Sequence, residues 1–572
     1  MRLRSFFRAP SLRAVSSSVL LRLILLAGVS AASVAESQPV YAADEIRLLV
    51  GGPLVFSVSV DSLEAFAQYG DINKDLRLLT RFVDGEAITG LSQALQASIP
   101  LTVQQVDNLG YSVLGQDILS NVGQVIRPHP SLNGDRALRG AIITAAAQAE
   151  LQSEDWTAID VMRKYPSQTI DVRLQELLTL RRFIRAALSE NEQAVTAIQS
   201  QDAIETNQRN DSQLSLSQDL SVPGPYTFEK GMLTLTRDAE RQTSSGIESR
   251  YSFTTDTYIP EGLGQPAPVV IVSHGYSDTK ENFGFIGRHL ASHGFVVLIP
   301  EHVGSDLRFR LNYTEGRLQT GMNPTEYVSR PQEVSYLIDQ LEMLLASSPT
   351  WAAQVDLDRI GVVGHSLGAA TAYSLAGADI NLDRLTAICE GASINLSPAL
   401  YLQCLGRFLS AQDSSLKDSR ITAIISANGI GSALFGPEEL EEVTLPILMA
   451  SAANDVVAPA VTEQIQPFSW VGADEKYLAV MSDASHFSLM SGEDTSVVSP
   501  LTQPGAEAVA DIVLGQYRDI GSGYFEALNL AFWNVYLRGD SSYLPYLSDR
   551  YAQQLSVDQI PSLNIVRESQ LE

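Results

Sequence analysis

Basic residues are scarce in this sequence. Its 572 residues include 39 lysines and arginines against 66 aspartates and glutamates, which gives a formal net charge of −27 at pH 7. Residues 1–42 hold five arginines and one glutamate, so the charge falls to −31 without them. A chain this acidic repels nucleic acid and anionic membrane surfaces. We therefore expect no nucleic-acid partner.

Cysteine is nearly absent, since the chain contains only Cys389 and Cys404. Two cysteines exclude a small scaffold held by many disulfides. No cluster of histidines or carboxylates accompanies them, so we expect no metal site. They lie fifteen residues apart in one segment, where a local disulfide is expected and two buried thiols are the alternative.

The sequence also offers no apolar run suited to a stable membrane span. Residues 19–35 are mostly apolar or small, but Arg22 interrupts them and a stretch with four arginines precedes them. Small residues near Ala42 fit a signal-peptide cleavage site. We predict a signal peptide at 1–42 and export to a periplasm, a lumen or the medium. A retained anchor is the alternative, although the run is too short to span a bilayer well.

The most informative pattern present is Gly-x-Ser-x-Gly at residues 364–368, after a β-branched run. A buried strand is expected to end there, and a helix rich in small residues to begin at Leu367. The glycines allow backbone to pack closely around the sharp turn that presents Ser366. Helix N–H groups face the same point, which suits a nucleophile in acyl transfer. The alternative is a glycine-rich turn without chemistry.

Only seven histidines are available as the general base for such a nucleophile. His486 follows an apolar strand and is the only histidine after Ser366, and triads with this motif run in the chain order Ser, acid, His. Asp455, in the loop after a preceding strand, is predicted to orient His486. Glu390 is the second candidate acid, and Asp483 lies too close to His486 along the chain. The alternative for His486 is a surface-loop histidine.

A second motif lies upstream of the nucleophile by about the length of two strand–helix units. The apolar run 269–273 ends in His-Gly, and Tyr276 follows. This order is typical of a loop that contributes to an oxyanion hole. The backbone N–H groups of Tyr276 and Leu367 are therefore predicted to stabilise the oxyanion.

Residues 273–300 together with 364–369 resemble the α/β-hydrolases, and within them the platelet-activating-factor acetylhydrolase and dienelactone hydrolase branch. The likeness covers about residues 226–540, and the whole chain resembles exported cyanobacterial α/β-hydrolases with an uncharacterised N-terminal domain. The resemblance implies an α/β-hydrolase fold, in which helices flank a mostly parallel sheet. It also implies serine carboxylic-ester hydrolysis without a metal or a cofactor.

One departure from the acetylhydrolase pattern bears on the acid. The acetylhydrolases place their acid after the strand expected here at 421–426, whereas this chain has Ala427 and Asn428 at that point. The departure favours Asp455 and weakens any transfer of acetylhydrolase specificity.

The length of the chain predicts two or three domains. A helical cap is expected at about 377–419, because this stretch exceeds a normal crossover in length. Local signals place one helix start at a capping box over residues 61–64 and another at Pro331. The predicted segments are a signal peptide at 1–42, a mainly helical N-terminal domain with a β-hairpin at 43–170, a helix and polar linker at 171–225, an α/β-hydrolase domain at 226–540 and a C-terminal extension at 541–572.

These observations predict an exported serine ester hydrolase acting on a small-molecule or lipid ester, with an acetyl ester as one possibility. A peptidase, lactonase or thioesterase using the same three residues is the alternative among enzymes. A binding protein on a hydrolase scaffold, acting through residues 43–170 with an unknown protein partner, is the alternative from another class.

Overall fold

The computed structural model describes residues 42–51, 54–80, 85–99, 101–174, 176, 218–318, 320–390, 397–410, 415–491, 515 and 517–567. They form two compact units, one of residues 42–106 and 119–176 and another of residues 107–118 and 218–567. Residues 1–41 of the predicted signal peptide, and most of the predicted helix and linker at 171–225, lie outside the described residues. No described helix combines the length and apolar character that a membrane crossing requires.

A four-stranded sheet runs through the first unit. Its strands are β1 (Glu45–Gly51), β2 (Leu54–Ser59), β3 (Ile126–Arg127) and β4 (Thr169–Arg173), in the order β2-β1-β4-β3. β1 and β2 pair antiparallel as the predicted hairpin, and β4 pairs parallel with β1. Arg47 of β1 donates two hydrogen bonds, of 2.6 and 2.8 Å, to the buried Asp171 of β4. Residues 171–173 are therefore strand, where the sequence predicted the start of a helix.

Helices make up most of the remaining N-terminal region. The first begins at Val60, with Ser59 as its N-cap, because the Ser59 hydroxyl accepts the Ser62 N–H at 3.1 Å. The predicted capping box is wrong, since Asp61 and Glu64 both bind Arg163 instead. The helices are α1 (Val60–Tyr69), α2 (Lys74–Leu79), α3 (Gly85–Gln96), α4 (Val103–Tyr111), α5 (Val113–Val125), α6 (Asp135–Gln152) and α7 (Ala158–Arg163).

The second unit is built on a nine-stranded, mostly parallel sheet, which confirms the predicted α/β class. Its strands are β5 (Phe228–Arg237), β8 (Tyr251–Pro260), β9 (Ala267–Ser273), β10 (Val296–Pro300), β11 (Val355–His365), β12 (Ile421–Ala427), β13 (Ile447–Ala452), β14 (Lys476–Met481) and β15 (Leu563–Arg567). Their order is β15-β14-β13-β12-β11-β9-β10-β8-β5. The central strands β9 to β14 run parallel, and β5, β8 and β15 add antiparallel at the edges. The sheet thus extends into the predicted C-terminal extension. A separate hairpin pairs β6 (Arg241–Thr243) with β7 (Gly246–Glu248).

Helices cover both faces of this sheet, so its central strands are apolar on both sides. Val269 and Ile271 of β9 pack into one buried cluster, and Val270 and Val272 pack into the other. The helices are α8 (Gly284–Ser292), α9 (Leu307–Thr314), α10 (Glu326–Ser347), α11 (Pro349–Ala352), α12 (Leu367–Ala376), α13 (Leu382–Cys389), α14 (Pro398–Cys404), α15 (Gly436–Leu440), α16 (Gln466–Trp470), α17 (Arg518–Tyr536) and α18 (Asp549–Leu555). Short turns of helix lie at Lys280–Phe283, Leu405–Phe408, Val461–Ile465 and Ser541–Tyr546.

The helix that precedes the nucleophile strand starts earlier than predicted. α10 begins at Glu326, and Pro331 lies inside it. A proline there removes one backbone hydrogen bond of the helix. Glu326 and Arg330 are both fully buried and bind polar groups of other segments, which holds the chain helical before the proline.

The predicted cap region contains two short helices joined by a disulfide. Cys389 at the end of α13 is bonded to Cys404 at the end of α14, with their Cα atoms 5.7 Å apart. Gln403 anchors α14 to the body of the unit by donating to Glu463 at 2.9 Å and accepting the Ala433 N–H at 2.9 Å. Part of the predicted cap, at 391–396 and 411–414, lies outside the described residues.

Replacing both cysteines, Cys389→Ser with Cys404→Ser, should lower the free energy of unfolding by about 3 kcal/mol, because a disulfide across a loop of this size restricts the unfolded chain. Urea unfolding of the variant and of the wild type, each with and without reductant, measures the difference. The reductant should shift only the wild type. An unchanged midpoint in the variant would show that contacts such as those of Gln403 hold the cap without the disulfide.

Candidate functional site

The six parallel strands β9 to β14 end at one edge of the sheet, and loops that follow them meet there. The end of β9 at Ser273 stands beside Gly364 of β11, and the end of β11 at His365 stands beside Ala427 of β12. β13 and β14 continue the same parallel set. The loops after β9, β11, β13 and β14 contain all the residues predicted to act in catalysis, so the structure brings them to one edge.

Ser366 occupies a strained turn between β11 and α12. Its φ of 54° and ψ of −116° lie outside the conformations that serine ordinarily adopts. Its N–H donates to the Ala427 carbonyl at 3.0 Å. A Cβ at Gly364 would lie 2.1 Å from the carbonyl oxygen of Gly368, and one at Gly368 would lie 2.0 Å from that of Ser273. Both glycines of the motif are therefore required by close backbone contacts.

His486 and Asp455 are hydrogen-bonded to each other. The His486 Nδ1–H donates to Asp455 Oδ2 at 2.6 Å, and both side chains are buried. Asp455 Oδ1 accepts the backbone N–H groups of Val457 and Ala458, each at 2.8 Å. The carboxylate is thus fixed, and it leaves His486 Nε2 as the nitrogen able to accept a proton. Glu390, the second candidate acid, is exposed at the end of α13.

Asn428 is a residue of this edge that the sequence did not identify as functional. Its side chain donates to the His486 carbonyl at 2.8 Å and accepts the Ala452 N–H at 2.8 Å. It thereby ties the loop that carries His486 to the end of β13. One signal in the sequence pointed to this position, because Asn428 stands where the acetylhydrolases have their acid.

His365 supports the same loop from the other side. Its Nε2–H donates to the His486 carbonyl at 3.1 Å, and the two imidazole rings lie 5.0 Å apart. Burial, together with the nearby His486, lowers the pKa of His365 to about 3. His365 is therefore neutral near pH 7, and its bonding supports the backbone of His486.

The predicted oxyanion loop lies directly against the nucleophile. A Cβ at Gly275 would be 3.3 Å from the Cβ of Ser366. The Tyr276 hydroxyl donates to the Gly321 carbonyl at 2.7 Å, which restrains the side chain. Among the described residues, no acceptor binds the backbone N–H of Tyr276 or of Leu367. Both predicted donors are available to a ligand oxygen.

A second serine, histidine and carboxylate constellation lies beneath this loop. The His302 Nδ1–H donates to Glu333 at 2.7 Å, and His302 Nε2 is 2.9 Å from the Ser273 hydroxyl. None of the three side chains has any solvent exposure. Burial and two nearby arginines hold the pKa of His302 well below its usual range. A serine bonded to a histidine that is paired with a carboxylate is therefore not by itself evidence of a nucleophile. Ser366 differs from Ser273 in that it is partly accessible to solvent.

Two carboxyl groups near the oxyanion loop hold protons more tightly than usual. Burial raises the pKa of Asp278 to about 7, although hydrogen bonds and the charges of Arg330 and His486 oppose it. Burial also raises the pKa of Glu301 to about 8. No group of three or more histidine, cysteine or acidic side chains in the described ranges could bind a metal ion.

Two family models match the chain in separate segments. One, described as an α/β-hydrolase of unknown function (DUF1400), matches residues 42–173, and the chlorophyllase model matches residues 228–432. The second match includes Tyr276 and Ser366 and ends before Asp455 and His486.

Similar curated proteins match part of the chain at low identity. Chlorophyllase-1, chloroplastic, of Citrus unshiu and of Citrus sinensis are each 26% identical over 156 residues, which is 24% of this chain and 43% of the relative. The platelet-activating factor acetylhydrolase of Cavia porcellus is 25% identical over 148 residues, which is 21% of this chain and 34% of the relative. The chain thus matches less than half the length of these relatives.

Proposed function

We propose that this chain, a member of the α/β-hydrolase superfamily, is a serine carboxylic-ester hydrolase. The Ser366 hydroxyl attacks the ester carbonyl carbon while His486 Nε2 accepts its proton, and Asp455 stabilises the resulting imidazolium. The N–H groups of Tyr276 and Leu367 stabilise the oxyanion. His486 then protonates the departing alcohol. Water, deprotonated by His486, hydrolyses the acyl-enzyme and releases the acid.

The observation that carries this proposal is the hydrogen bond of 2.6 Å between His486 and Asp455 at the same sheet edge as Ser366. The acid arises after β13 and the histidine after β14, in the chain order expected of a nucleophile-elbow triad. The strained turn at Ser366 supports the role of a nucleophile, because such strain persists where the surrounding structure enforces it.

The relatives and the cap both support the proposed class of substrate. The likeness to chlorophyllase and to platelet-activating factor acetylhydrolase supports an ester with a lipid-like portion, and the cap helices α13 and α14 are suited to shape the acyl pocket. The disulfide is typical of a non-reducing environment. We therefore place the enzyme outside the cytoplasm, in agreement with the predicted signal peptide.

Hydrolysis of p-nitrophenyl esters from acetate to palmitate tests the proposal. The purified wild-type protein should turn over part of the series, and Ser366→Ala should reduce turnover at least about 10³-fold, because the nucleophile is lost. A fluorophosphonate reagent, which labels activated serines, should label the wild type and not Ser366→Ala.

Ser273→Ala is the matched control, because Ser273 also bonds to a histidine that is paired with a carboxylate. It should still be labelled by the reagent. Labelling that disappears in Ser273→Ala and persists in Ser366→Ala would assign the nucleophile to the buried constellation. Equal background turnover by the wild type and Ser366→Ala would contradict ester hydrolysis.

A further inference from the structure

The loop of residues 274–276 is held from below by Arg330 of α10, which has no solvent exposure. Its Nη1 donates to the His274 carbonyl at 2.6 Å, and its Nη2 donates to the Gly275 carbonyl at 3.1 Å. Its Nε donates to the Ser305 hydroxyl at 2.8 Å. Because a guanidinium is planar and rigid, three acceptors in fixed positions leave it a single orientation.

The second of these carbonyls shares a peptide unit with the predicted oxyanion donor. The C=O of Gly275 and the N–H of Tyr276 lie in one planar peptide and, in the trans form, point in opposite directions. Fixing the oxygen therefore fixes the direction of the N–H. The His274 Nδ1–H also donates to the Gly275 oxygen, at 2.8 Å. Donors on this oxygen polarise the peptide and make the Tyr276 N–H a stronger donor.

The position of Arg330 is set by a buried group of opposite charges. Glu326 lies 3.8 Å from the Arg330 guanidinium. Arg241 donates to Glu326 at 2.5 and 3.1 Å and lies 3.1 Å from Glu333. The charges of two arginines and two glutamates thus balance within one buried network. Burial lowers the pKa of Arg330 to about 10, against the opposing effect of the glutamates. Arg330 therefore keeps its charge near neutral pH.

We propose that Arg330 is a positioning residue for the oxyanion hole, because its bond to the Gly275 carbonyl aims the Tyr276 N–H at the carbonyl oxygen of the substrate. Arg330 does not touch the substrate. The proposal rests on the ester hydrolase function proposed above. It explains why a charged side chain is buried at this edge without any exposed atom, since a buried ionic network alone adds little net stability.

Arg330→Lys and Arg330→Met test the role with a p-nitrophenyl ester that the wild type hydrolyses. We expect kcat to fall about 10²-fold in the Met variant and less in the Lys variant, with KM changed less than about threefold, as for loss of one oxyanion donor. The inhibition constant of a trifluoromethyl ketone, which forms a tetrahedral adduct with an activated serine, should rise in proportion. A residue with only a structural role would not change that constant in folded protein.

Arg420→Met is the matched control, because Arg420 also makes several bonds to carboxylates, namely Asp339, Glu342 and Asp418, but none to the oxyanion loop. It should lower the midpoint of thermal unfolding and leave kcat unchanged. If neither Arg330 variant folds, Ser305→Ala tests the positioning role instead. That variant removes the hydroxyl that accepts the Arg330 Nε–H. It should lower kcat several-fold and raise the inhibition constant in proportion.

Folded Arg330 variants, or a Ser305→Ala variant, with wild-type kcat and wild-type inhibition would overturn the positioning role. A loss confined to KM would also overturn it. Failure of the proposed function would be visible separately, because the wild type itself would then lack turnover dependent on Ser366.

Discussion

Asp455→Asn should lower kcat by about 10⁴-fold while the protein stays folded. In the wild type the carboxylate accepts the His486 Nδ1–H and so keeps Nε2 unprotonated. An asparagine NH₂ group facing the ring favours the other tautomer, whose Nε2 carries the hydrogen and no longer accepts the serine proton. KM should change little, because Asp455 is buried and does not contact the substrate. Steady-state kinetics with a p-nitrophenyl ester, beside a circular-dichroism spectrum, measure both effects.

Glu390→Gln provides the control for this experiment. Glu390 was the second candidate acid from the sequence, and it is exposed at the end of α13. We expect its replacement to leave kcat within about twofold of the wild type, as for surface substitutions in general. A large loss in Glu390→Gln together with full activity in Asp455→Asn would assign the acid to the cap.

Gly368→Ala should both destabilise the protein and abolish its activity. The added Cβ would lie 2.0 Å from the carbonyl oxygen of Ser273, a backbone atom that cannot rotate away. Either α12 or the end of β9 has to move, and both lie in the buried core. Overpacking of this kind costs about 3 kcal/mol, or more where backbone is displaced. Any movement of β9 also carries the oxyanion loop away from Ser366.

Gly264→Ala is the matched control, because a Cβ there meets no atom within 4 Å. Its free energy of unfolding should stay within about 0.5 kcal/mol of the wild type. Urea unfolding of both variants, followed by fluorescence, makes the comparison. A Gly368→Ala protein as stable and active as the wild type would contradict the prediction, because it would show that the backbone near Ser366 can accommodate a methyl group at this position.

The elements that local sequence determines were predictable. Apolar runs marked the strands β9, β11 and β14, and the glycine pattern marked the turn at Ser366. The loops after β13 and β14 could be placed at one sheet edge, because the ends of parallel strands meet there. The pairing of Cys389 with Cys404 was also accessible, because the chain offers only one pair.

What the sequence did not reveal depends on contacts between distant segments. Arg330 acquires its role from carbonyls more than fifty residues away along the chain, and no pattern around it indicates them. From the sequence alone, Asn428 showed only that the acetylhydrolase acid is absent at this position. Its structural role depends on its hydrogen bonds to the backbone of His486 and Ala452. The start of α10 was predicted at Pro331 instead of Glu326 for the same reason. Contacts of Glu326 and Arg330 with distant segments keep the turn before the proline helical.

The last strand among the described residues also constrains the order in which the protein can form. β15, at residues 563–567, pairs with the outer edge of β14. β14 ends at Met481, five residues before His486. Until those residues leave the ribosome, the backbone groups of β14 have no partner on that side, and open strand edges promote association between chains. A chain truncated before β15 should therefore aggregate even though every residue of the proposed triad is present. The sheet that carries the proposed triad is therefore completed by a strand that is synthesised after every residue of that triad.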